Sequence, residues 1–474
     1  MNVASVILAA GAGTRMRSKL PKVLHPLGGQ PMIMYTINLA MQVSSQPPVL
    51  VIGHGAKLVR DRVGDCVRYV LQEQRLGTGH ATLQARDELR GRSDAVLVLF
   101  GDMPLLTPPG VTRLLEAFAQ NLPTIALLTL TVPEGADAMG FGRLVRDAEG
   151  RPTAIVEEVV ATPEQLRIRE LNAGISCYRA DWLWDHLTQL HVSAKGEYYL
   201  TDLVAMAASE GEQVVTVSVE DPTDLLGIND RIHLAQAEAI LRQRVNTELM
   251  RGGVTLIDPA STYVEVGVRV APDTVIYPNT HLLGDTSVGD DCIIGPNAVI
   301  RDSTIGPRCQ IVASMLDSAV LGADVSVGPF ARLRNGARLD SGVHMGNFGE
   351  VKNSYLGPGT KMGHFSYVGD ATIGAKVNIG AGTVFCNYDG ERKHATLVGE
   401  QVFIGSGTML VAPLRVGPGA KIGAGSVVTH DVPADTVVYG VPAQQRGKVH
   451  GDEVAEQPEE AVSEEQRLSE EGGA

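Results

Sequence analysis

The chain has 474 residues, which is enough for two or three domains that each bury a core of their own. Its formal net charge of −14 provides no electrostatic support for binding nucleic acid, although residues 451–474 alone contribute −8 of it. Five scattered cysteines without a Cys-x-x-Cys pair, no run of 18 uncharged apolar residues and no basic, apolar leader predict a cytoplasmic protein that does not insert into membranes.

Strand-like and helix-like segments alternate over residues 1–228. The apolar, strand-like runs are 3–8, 49–52, 67–71, 95–100 and 124–132, and the helix-like stretches include 31–43 and 79–89. This alternation predicts an α/β, Rossmann-like domain with a mostly parallel sheet that binds ligands at the carboxyl ends of its strands.

A small-residue turn follows the first strand-like run, which ends at Leu8. Gly11 and Gly13 let backbone N–H groups approach an anion because no Cβ stands in the way. Arg15 and Lys22 add the positive charge that a polyphosphate needs. Neither the dinucleotide fingerprint nor the P-loop motif is present, so a bare Gly-x-Gly turn remains the alternative interpretation.

Asp102 follows the strand-like run 95–100 and places a carboxylate where ligands bind in such a sheet. Beside the Arg15 and Lys22 turn it predicts a Mg²⁺ site, because Mg²⁺ takes one or two protein oxygens and completes its shell with phosphate and water. Asn229 offers a second oxygen, although its position also suits the cap of a linker helix predicted over residues 229–250.

Aliphatic residues recur every six positions between residues 264 and 428, usually followed by Gly or Ala. This period is typical of a hexapeptide β-helix in which three hexads close one coil, and a Gly-rich β-sandwich would not keep it for so long. We therefore predict a β-helix domain over residues 251–445 and an acidic, disordered tail over 446–474. A polar excursion at 384–396 interrupts the repeat and is a candidate binding loop.

His364, Arg334 and Lys352 are the candidate catalytic and binding residues of the repeat region. His364 is suited to accept a proton from an attacking amine, although a single histidine on such a surface is also commonly structural. Arg334 and Lys352 lie about one coil apart in the predicted repeat and are suited to bind a sugar phosphate.

Residues 8–16, with Pro21 and Lys22, resemble the signature of sugar-phosphate nucleotidyltransferases. Over nearly its full length the chain resembles the bifunctional N-acetylglucosamine-1-phosphate uridylyltransferase/glucosamine-1-phosphate N-acetyltransferase family. The matching stretches are 8–16, 21–25, 76–81, 100–102, 140–143, 155–157, 172–174, 196–202, 377–383 and 387–390. The resemblance implies that the β-helix is left-handed and that the chain makes UDP-N-acetylglucosamine, a precursor in peptidoglycan synthesis, from UTP, acetyl-CoA and glucosamine 1-phosphate.

The resemblance also implies roles for individual residues. Those expected to bind UTP or N-acetylglucosamine 1-phosphate are Leu8, Ala9, Ala10, Gly11, Lys22, Gln72, Gly77, Thr78, Gly142, Glu157, Asn172 and Asn229, with Gln72 reading the uracil edge. Arg15 and Lys22 would stabilise the phosphates, and Asp102 and Asn229 would bind Mg²⁺. Arg334, Lys352, Tyr367 and Asn378 would bind glucosamine 1-phosphate; Ala381, Asn387, Tyr388, Ser406 and Ala424 would bind acetyl-CoA. His364 would be the catalytic base, oriented by Glu350.

Family members are homotrimers with the acetyl-transfer site between subunits, which is our expectation for this chain. The chain departs from the family's pattern at Gly440, where many relatives have Arg, and in its acidic tail, leaving Arg446 or Lys448 as alternative cations for coenzyme A. Two other functions remain open from the sequence: a nucleotidyltransferase whose β-helix is only a regulatory or oligomerising module, and a non-enzymatic hexapeptide scaffold.

Overall fold

Two separately packed units make up the described part of the chain. The computed structural model describes residues 1–133, 138, 140–193 and 195–448. The first unit comprises residues 1–248 together with 264–266, and the second comprises 249–263 together with the residues from 267 onward. The end of the first domain, predicted at residue 228, therefore lies further along the chain.

The first unit is built from alternating strands and helices, with bounds as follows. Its strands are β1 (Val3–Ala9), β2 (Pro26–Leu27), β3 (Gln30–Pro31), β4 (Val49–Ile52), β5 (Arg68–Leu71), β6 (Ala95–Phe100), β7 (Ile125–Thr131), β8 (Arg143–Arg146), β9 (Pro152–Val156), β10 (Glu170–Arg179) and β11 (Val214–Ser218). The helices are α1 (Ile33–Val43), α2 (Ala56–Val63), α3 (Thr78–Leu83), α4 (Arg86–Leu89), α5 (Pro108–Asn121), α6 (Ala180–His186), α7 (Asp202–Ser209) and α8 (Arg231–Arg251).

The sheet of the first unit is mostly parallel, as predicted, with the order β11-β7-β10-β6-β1-β4-β5. Strand β10 was not expected from the sequence; it runs antiparallel to both β6 and β7. Strand β1 is buried along its whole length because apolar side chains cover both faces of the sheet. Ile7 packs into the core on one face and Val6 into the core on the other.

Four parallel strands end together at one edge of this sheet. Leu8 pairs with Phe100, Ala9 with Ile52, and Ile52 with Leu71, so the segments after β1, β6 and β5 meet there. Backbone hydrogen bonds continue past the strand ends, since Gln72 N donates to Ile52 O at 2.8 Å. The glycine-rich turn, Asp102 and Gln72 therefore share one edge of the sheet.

Helices α3 and α4 replace the single helix predicted over 79–89. Gln84 N donates to Ala81 O and Ala85 N donates to Thr82 O, three residues back in each case. These tighter hydrogen bonds interrupt the α-helical pattern between the two helices.

Helix α8 is the predicted linker helix, but most of it belongs to the first unit. Its Ala237 is buried in a small core with Leu27, Met32 and Leu105. Asp230 caps the helix, because its Oδ1 accepts from the backbone N–H groups of residues 232 and 233 at 3.0 Å each.

The second unit consists of three sheets of very short, mostly parallel strands. The first sheet contains β12 (Thr255–Leu256), β15 (Val275–Ile276), β18 (Ile293–Ile294), β21 (Gln310–Ile311), β24 (Ser326–Val327), β27 (His344–Met345), β30 (Lys361–Met362), β33 (Asn378–Ile379), β36 (Phe403–Ile404), β39 (Lys421–Ile422), β41 (Thr436–Gly440) and β42 (Ala443–Lys448). The second contains β13 (Tyr263–Val264), β16 (His281–Leu283), β19 (Val299–Arg301), β22 (Met315–Asp317), β25 (Arg332–Leu333), β28 (Gly349–Lys352), β31 (Ser366–Gly369), β34 (Val384–Cys386), β37 (Met409–Val411) and β40 (Val427–Val428). The third contains β14 (Arg269–Val270), β17 (Ser287–Val288), β20 (Thr304–Ile305), β23 (Val320–Leu321), β26 (Arg338–Leu339), β29 (Tyr355–Leu356), β32 (Ala371–Ile373), β35 (Thr396–Val398) and β38 (Leu414–Val416).

From β12 to β40, consecutive strands belong to different sheets, so each coil contributes one strand to every side of a prism. The hexad period is confirmed, and the unit is a left-handed parallel β-helix whose aliphatic hexad residues, such as Ile404 and Leu410, are fully buried. Buried hydroxyls provide hydrogen bonds to backbone carbonyls at the corners, since Thr383 and Thr408 each donate to the carbonyl three residues earlier. The interruption at 384–396 keeps the next strand, β35, in register with β32.

The end of the β-helix differs from the prediction. Strand β42 pairs antiparallel with β41, so residues 446–448, predicted to begin a disordered tail, form part of a strand. The rest of the predicted tail, residues 449–474, lies outside the described residues. In the described part of the chain, none of the helices has the length and apolar character that crossing a membrane demands.

Phe385→Ala should destabilise the β-helix by about 3–5 kcal/mol, because Phe385 is fully buried and truncation leaves a cavity. Phe403→Ala is the control; its ring is 49% exposed. Both tryptophans of the chain, Trp182 and Trp184, lie in α6 of the first unit. For Phe385→Ala, the denaturant midpoint of the β-helix unfolding followed by circular dichroism should therefore fall. The midpoint followed by tryptophan fluorescence, which reports on the first unit, should stay unchanged. Equal shifts in both signals would contradict two separately packed cores.

Candidate functional site

Two cations and two oxygen ligands meet at the carboxyl edge of the first unit's sheet. Lys22 Nζ lies 2.5 Å from Asp102 Oδ2 and 3.3 Å from Asn229 Oδ1. Arg15 Nη2 donates to the same Asn229 oxygen at 2.9 Å. The four side chains singled out from the sequence are thus brought together, although Asn229 is more than 200 residues from Arg15 and Lys22 along the chain.

Backbone contacts explain why these side chains converge. Ile228 N donates to Asp102 O at 2.8 Å, which places Asn229 beside the carboxylate. Since Asp230 caps α8, the Asn229 amide is not needed as the cap. Gly13 has a φ of 59°, and a Cβ there would lie 2.6 Å from Lys22 Cβ, so the turn needs glycine to let Lys22 approach.

A cavity of about 290 Å³ opens on one side of the cluster. Its predicted lining residues are Leu8, Ala9, Ala10, Gly11, Lys22, Gln72, Gly77, Thr78 and Asp102. Gln72 is almost fully buried, and its Nε2 donates to Gly77 O at 3.2 Å. All the residues expected to hold the uridine part of UTP therefore share one cavity.

A second cavity, of about 320 Å³, adjoins the first. It contains the predicted sugar-binding residues Gly142, Glu157 and Asn172 together with Asn229. Burial raises the pKa of the Glu157 carboxyl, and a hydrogen bond from the Thr201 hydroxyl at 3.1 Å opposes the rise. The two cavities share four residues and meet at Asp102: Thr78, Phe100, Asp102 and Tyr199.

The oxygens at this meeting point suit Mg²⁺. Asp102 Oδ2 and Asn229 Oδ1 converge on one ammonium group, so both face the same small volume beside the cations. The described residues contain no cluster of three or more His, Cys, Asp or Glu that could hold a metal through the protein alone. One carboxylate and one amide are the modest protein donor set with which Mg²⁺ binds alongside phosphates.

A second candidate site follows one corner of the β-helix. His364, Ala381, Ser406 and Ala424 each come two residues after a buried aliphatic residue of the first sheet. Hydrogen bonds stack these corners, since Gly407 N donates to Ala381 O and Gly425 N donates to Ser406 O. Asn378 lies on the adjoining side, paired with residue 361. The predicted catalytic histidine and three predicted acetyl-CoA residues form one column, which we call the corner column.

The predicted phosphate-binding cations lie on the second sheet. Arg334 N donates to Val351 O, which places Arg334 beside Lys352 on successive coils. Lys393, on the polar excursion, lies against Lys352; its side-chain hydrogen bond, followed by its charge and that of Arg334, lowers the pKa of Lys352. Three cations, Arg334, Lys352 and Lys393, therefore concentrate where a phosphate would bind.

Glu350 pairs with Arg334 in this chain, and its expected role of orienting His364 stays a prediction. Its Oε1 accepts from Arg334 Nη1 at 2.8 Å, and this bond raises the pKa of the guanidinium. Across the described residues, no hydrogen bond joins Glu350 to His364. In the strand pairing, Glu350 lies opposite Tyr367, which is three residues beyond the histidine, and its carboxylate faces the cations instead.

Tyr367 and Asn387 meet above Gly369. A Cβ on that glycine would lie 2.4 Å from Tyr367 Oη and 2.7 Å from Asn387 Nδ2. Asn387 donates to Asp370 Oδ2 at 2.5 Å, whereas Tyr388 is 61% exposed on the excursion. The excursion thus returns to the same side of the β-helix as the cations.

Gly440 continues the corner column by one coil. It follows buried Val438 by two residues, and β41 pairs with β39, which precedes Ala424. The guanidinium of Arg446 lies 5.5 Å from the ring centroid of Tyr439, the residue beside Gly440. A cation therefore lies next to the position where the family's Arg is replaced by glycine.

Three site residues were not predicted individually from the sequence. Tyr199 lines both cavities of the first unit, and it belongs to the stretch 196–202 that carries the family resemblance. Lys393 and Asp370 join the second site only through the folding of the excursion. Their spacing along the chain carried no signal of that contact.

Comparisons with known proteins agree with this geometry. Residues 5–164 match the MobA-like NTP transferase domain, and residues 267–302 and 395–430 match the bacterial transferase hexapeptide repeats. The chain is 47% identical to the "bifunctional protein GlmU" of Pelobacter propionicus, over 92% of this chain and 95% of that protein. It is 47% identical to the protein of that name from Heliobacterium modesticaldum (91% and 93% covered) and 44% identical to that from Brevibacillus brevis (90% and 93%).

The fold and the two sites define a transferase with two activities: an N-terminal nucleotidyltransferase and a C-terminal hexapeptide acyltransferase. The chain belongs to the bifunctional GlmU family. It makes UDP-N-acetylglucosamine by acetyl transfer to glucosamine 1-phosphate and then uridylyl transfer from UTP with release of pyrophosphate.

Gly13→Ala should lower uridylyl transfer about 10- to 100-fold, because the new methyl group displaces Lys22 from Asp102. Acetyl transfer should be unchanged. Gly211→Ala is the matched control, since Gly211 also has a positive φ (74°) but no atom within 4 Å of a Cβ. Pyrophosphate release measures the effect. Equal activity of the two variants would show that the close approach of Gly13 and Lys22 is unimportant.

Proposed function

We propose that the cluster of Arg15, Lys22, Asp102 and Asn229 is the uridylyl-transfer centre. We call the cavity lined by Gln72 the uridine-side cavity and the one lined by Glu157 the sugar-side cavity. The observation that carries the proposal is that these two cavities meet at Asp102, beside both cations. Gln72, Gly77 and Thr78 hold uridine with the backbone of residues 8–11. Glu157, Asn172 and Gly142 hold the N-acetylglucosamine.

The reaction at this centre needs positioning and charge neutralisation more than covalent catalysis. A phosphate oxygen of N-acetylglucosamine 1-phosphate attacks the α-phosphorus of UTP, and the bond from that phosphorus to the bridging oxygen breaks in line. Pyrophosphate leaves with the electron pair. Arg15 and Lys22 stabilise the charge on the phosphates, and no side chain acts as a nucleophile. Asp102 and Asn229 would hold Mg²⁺, which would supply further neutralisation of the phosphate charge.

The second activity belongs to the β-helix. Arg334, Lys352 and Lys393 bind the phosphate of glucosamine 1-phosphate, with Tyr367 and Asn378 holding the sugar. The amine attacks the thioester carbonyl of acetyl-CoA, His364 removes the amine proton, and the carbon–sulfur bond breaks to release coenzyme A. Acetyl-CoA lies along the corner column, with Ala381, Asn387, Tyr388, Ser406 and Ala424 as its contacts.

We also propose a homotrimer with the acetyl-transfer site between subunits. Three phenylalanines, Phe330, Phe348 and Phe365, each follow a buried aliphatic residue by three positions, on the corner that carries His364. Each is about 60% exposed, and the first two rings stack with centroids 5.5 Å apart. Such an apolar row beside a polar site fits burial against a second copy of the chain. The five unpaired cysteines fit a cytoplasmic location.

Asp102→Ala should reduce pyrophosphate release from UTP and N-acetylglucosamine 1-phosphate by at least about 10²-fold, because it removes charge from the uridylyl-transfer centre. His364→Ala should reduce release of coenzyme A thiol about 10²- to 10⁴-fold. Each variant should retain the activity of the other site, which serves as its folding control. His430→Ala, at an exposed histidine of the β-helix, should change neither activity. Loss of both activities in either folded variant would contradict two separate sites.

Chelation of Mg²⁺ should stop pyrophosphate release and leave thiol release unchanged, because the proposed metal ligands Asp102 and Asn229 belong to the first centre and the proposed acetyl transfer uses no metal. Asn229→Ala should raise the Mg²⁺ concentration for half-maximal uridylyl transfer about tenfold, since one ligand is lost. Asn121→Ala, on the exposed end of α5, is the control. An unchanged Mg²⁺ requirement in Asn229→Ala would remove Asn229 from the metal site.

A further inference from the structure

A hydrogen-bonded pair, the buried Gln72 and the half-buried His80, lies at the wall of the uridine-side cavity. Gln72 follows strand β5, is 4% exposed and lines that cavity. Its Nε2 lies 3.2 Å from the carbonyl oxygen of Gly77 and 3.0 Å from Nδ1 of His80, which is carried by helix α3. None of the roles assigned above involves His80.

The chemistry of these contacts determines which way the Gln72 amide points. A backbone carbonyl only accepts hydrogen bonds, so the –NH₂ group of Gln72 must be the end that faces Gly77. An –NH₂ group only donates, so Nδ1 of His80 must be unprotonated, and the ring proton lies on Nε2. Gln84 Nε2 donates to the backbone carbonyl of His80 at 3.1 Å and lies 3.3 Å from the ring Nε2, where it would also need a lone pair. A neutral imidazole offers one lone pair, and the shorter contact of 3.0 Å between Gln72 Nε2 and Nδ1 assigns it to Nδ1. Both N–H groups of Gln72 are therefore used, and its Oε1 remains as the acceptor for the cavity.

We propose that His80 is a positioning residue that sets the preference for UTP over CTP by locking the Gln72 amide. The inference rests on the proposed function, in which Gln72 reads the edge of the base. Uracil carries a hydrogen on N3, which donates to a fixed amide oxygen. Cytosine carries a lone pair on N3, which is repelled by that oxygen. A fixed acceptor at this point therefore selects uracil.

Loss of the His80 acceptor removes one of the two contacts that hold this orientation and leaves only the carbonyl of Gly77. One N–H of Gln72 would then be buried without a partner, which is costly, so the preference for this orientation over the amide rotated by 180° becomes smaller. The rotated amide presents –NH₂ to the base and suits N3 of cytosine. Selectivity between the two bases should change, whereas the phosphate-binding residues and hence the chemical step are untouched.

His80→Leu and His80→Asn form a matched pair for the test. The two substituted side chains have the same branching and nearly the same size, but only Asn carries an oxygen close to the position of Nδ1. In the full-length protein, kcat and KM are measured with N-acetylglucosamine 1-phosphate and Mg²⁺, using UTP and CTP in turn. For His80→Leu we expect the UTP/CTP ratio of kcat/KM to fall at least about tenfold, through KM, with kcat for UTP within about threefold of the parent. His80→Asn should recover most of the ratio.

The outcomes separate this proposal from the proposed function. A fall in the ratio for His80→Leu that His80→Asn restores supports the locking role. An equal fall in both variants, or no fall in either, overturns it. Gln72→Leu tests the underlying function: if this variant keeps the parent preference for UTP, then Gln72 does not read the base and the assignment of the uridine site fails with it. If Gln72→Leu loses the preference while His80→Leu keeps it, only the role of His80 is overturned.

Discussion

Parallel pairing between strands is the constraint on which both sites depend. In a parallel sheet the carboxyl ends of neighbouring strands meet at one edge, because every strand runs in the same direction. In the first unit this brings the glycine-rich turn, Gln72 and Asp102 together from the ends of three strands. In the second unit, parallel pairing joins equivalent residues of successive coils. These residues therefore stack in columns along the axis of the β-helix. His364 and Ser406 are close because they occupy the same position of their coils.

The columns also explain how a repetitive scaffold can hold a specific site. The inward positions must be aliphatic and the tight corners must be small, so the repeat leaves only outward positions free to carry chemistry. The chain concentrates polar groups there, on Arg334, Lys352 and Tyr367, and adds Lys393 from the excursion. Like charges this close repel one another, and the hydrogen bond with Lys393, together with the charges of Lys393 and Arg334, lowers the pKa of Lys352. A bound phosphate would remove that repulsion, so the electrostatics of the protein favour the proposed ligand.

The sequence predicted those features whose signal is local. The period of six identified the β-helix, and the apolar runs located five strands of the first sheet to within one residue at most ends. Asp102 and Lys22 could be chosen because strand ends and glycine turns have known chemistry. What could not be predicted were contacts between distant segments. The antiparallel insertion of β10, the pairing of Glu350 with Arg334 and the approach of Lys393 depend on register and loop folding, which no spacing encodes.

For Asn229 the sequence allowed two roles and could not distinguish between them. Its neighbours suited it equally to a helix cap and to a ligand, and only the capping of α8 by Asp230 assigns it to the cluster with Lys22. Strand β42 is a similar case, because a polar segment that looks disordered by composition gains order by pairing with β41. Composition alone does not predict that a neighbouring strand will pair with such a segment.

The most direct test of two cooperating sites follows coenzyme A thiol and pyrophosphate separately. The purified full-length protein receives glucosamine 1-phosphate, acetyl-CoA, UTP and Mg²⁺. Thiol should appear first, and pyrophosphate should appear only when acetyl-CoA is present. If no thiol appears while supplied N-acetylglucosamine 1-phosphate still yields pyrophosphate, the β-helix has no acetyltransferase activity and the account of the second site is wrong.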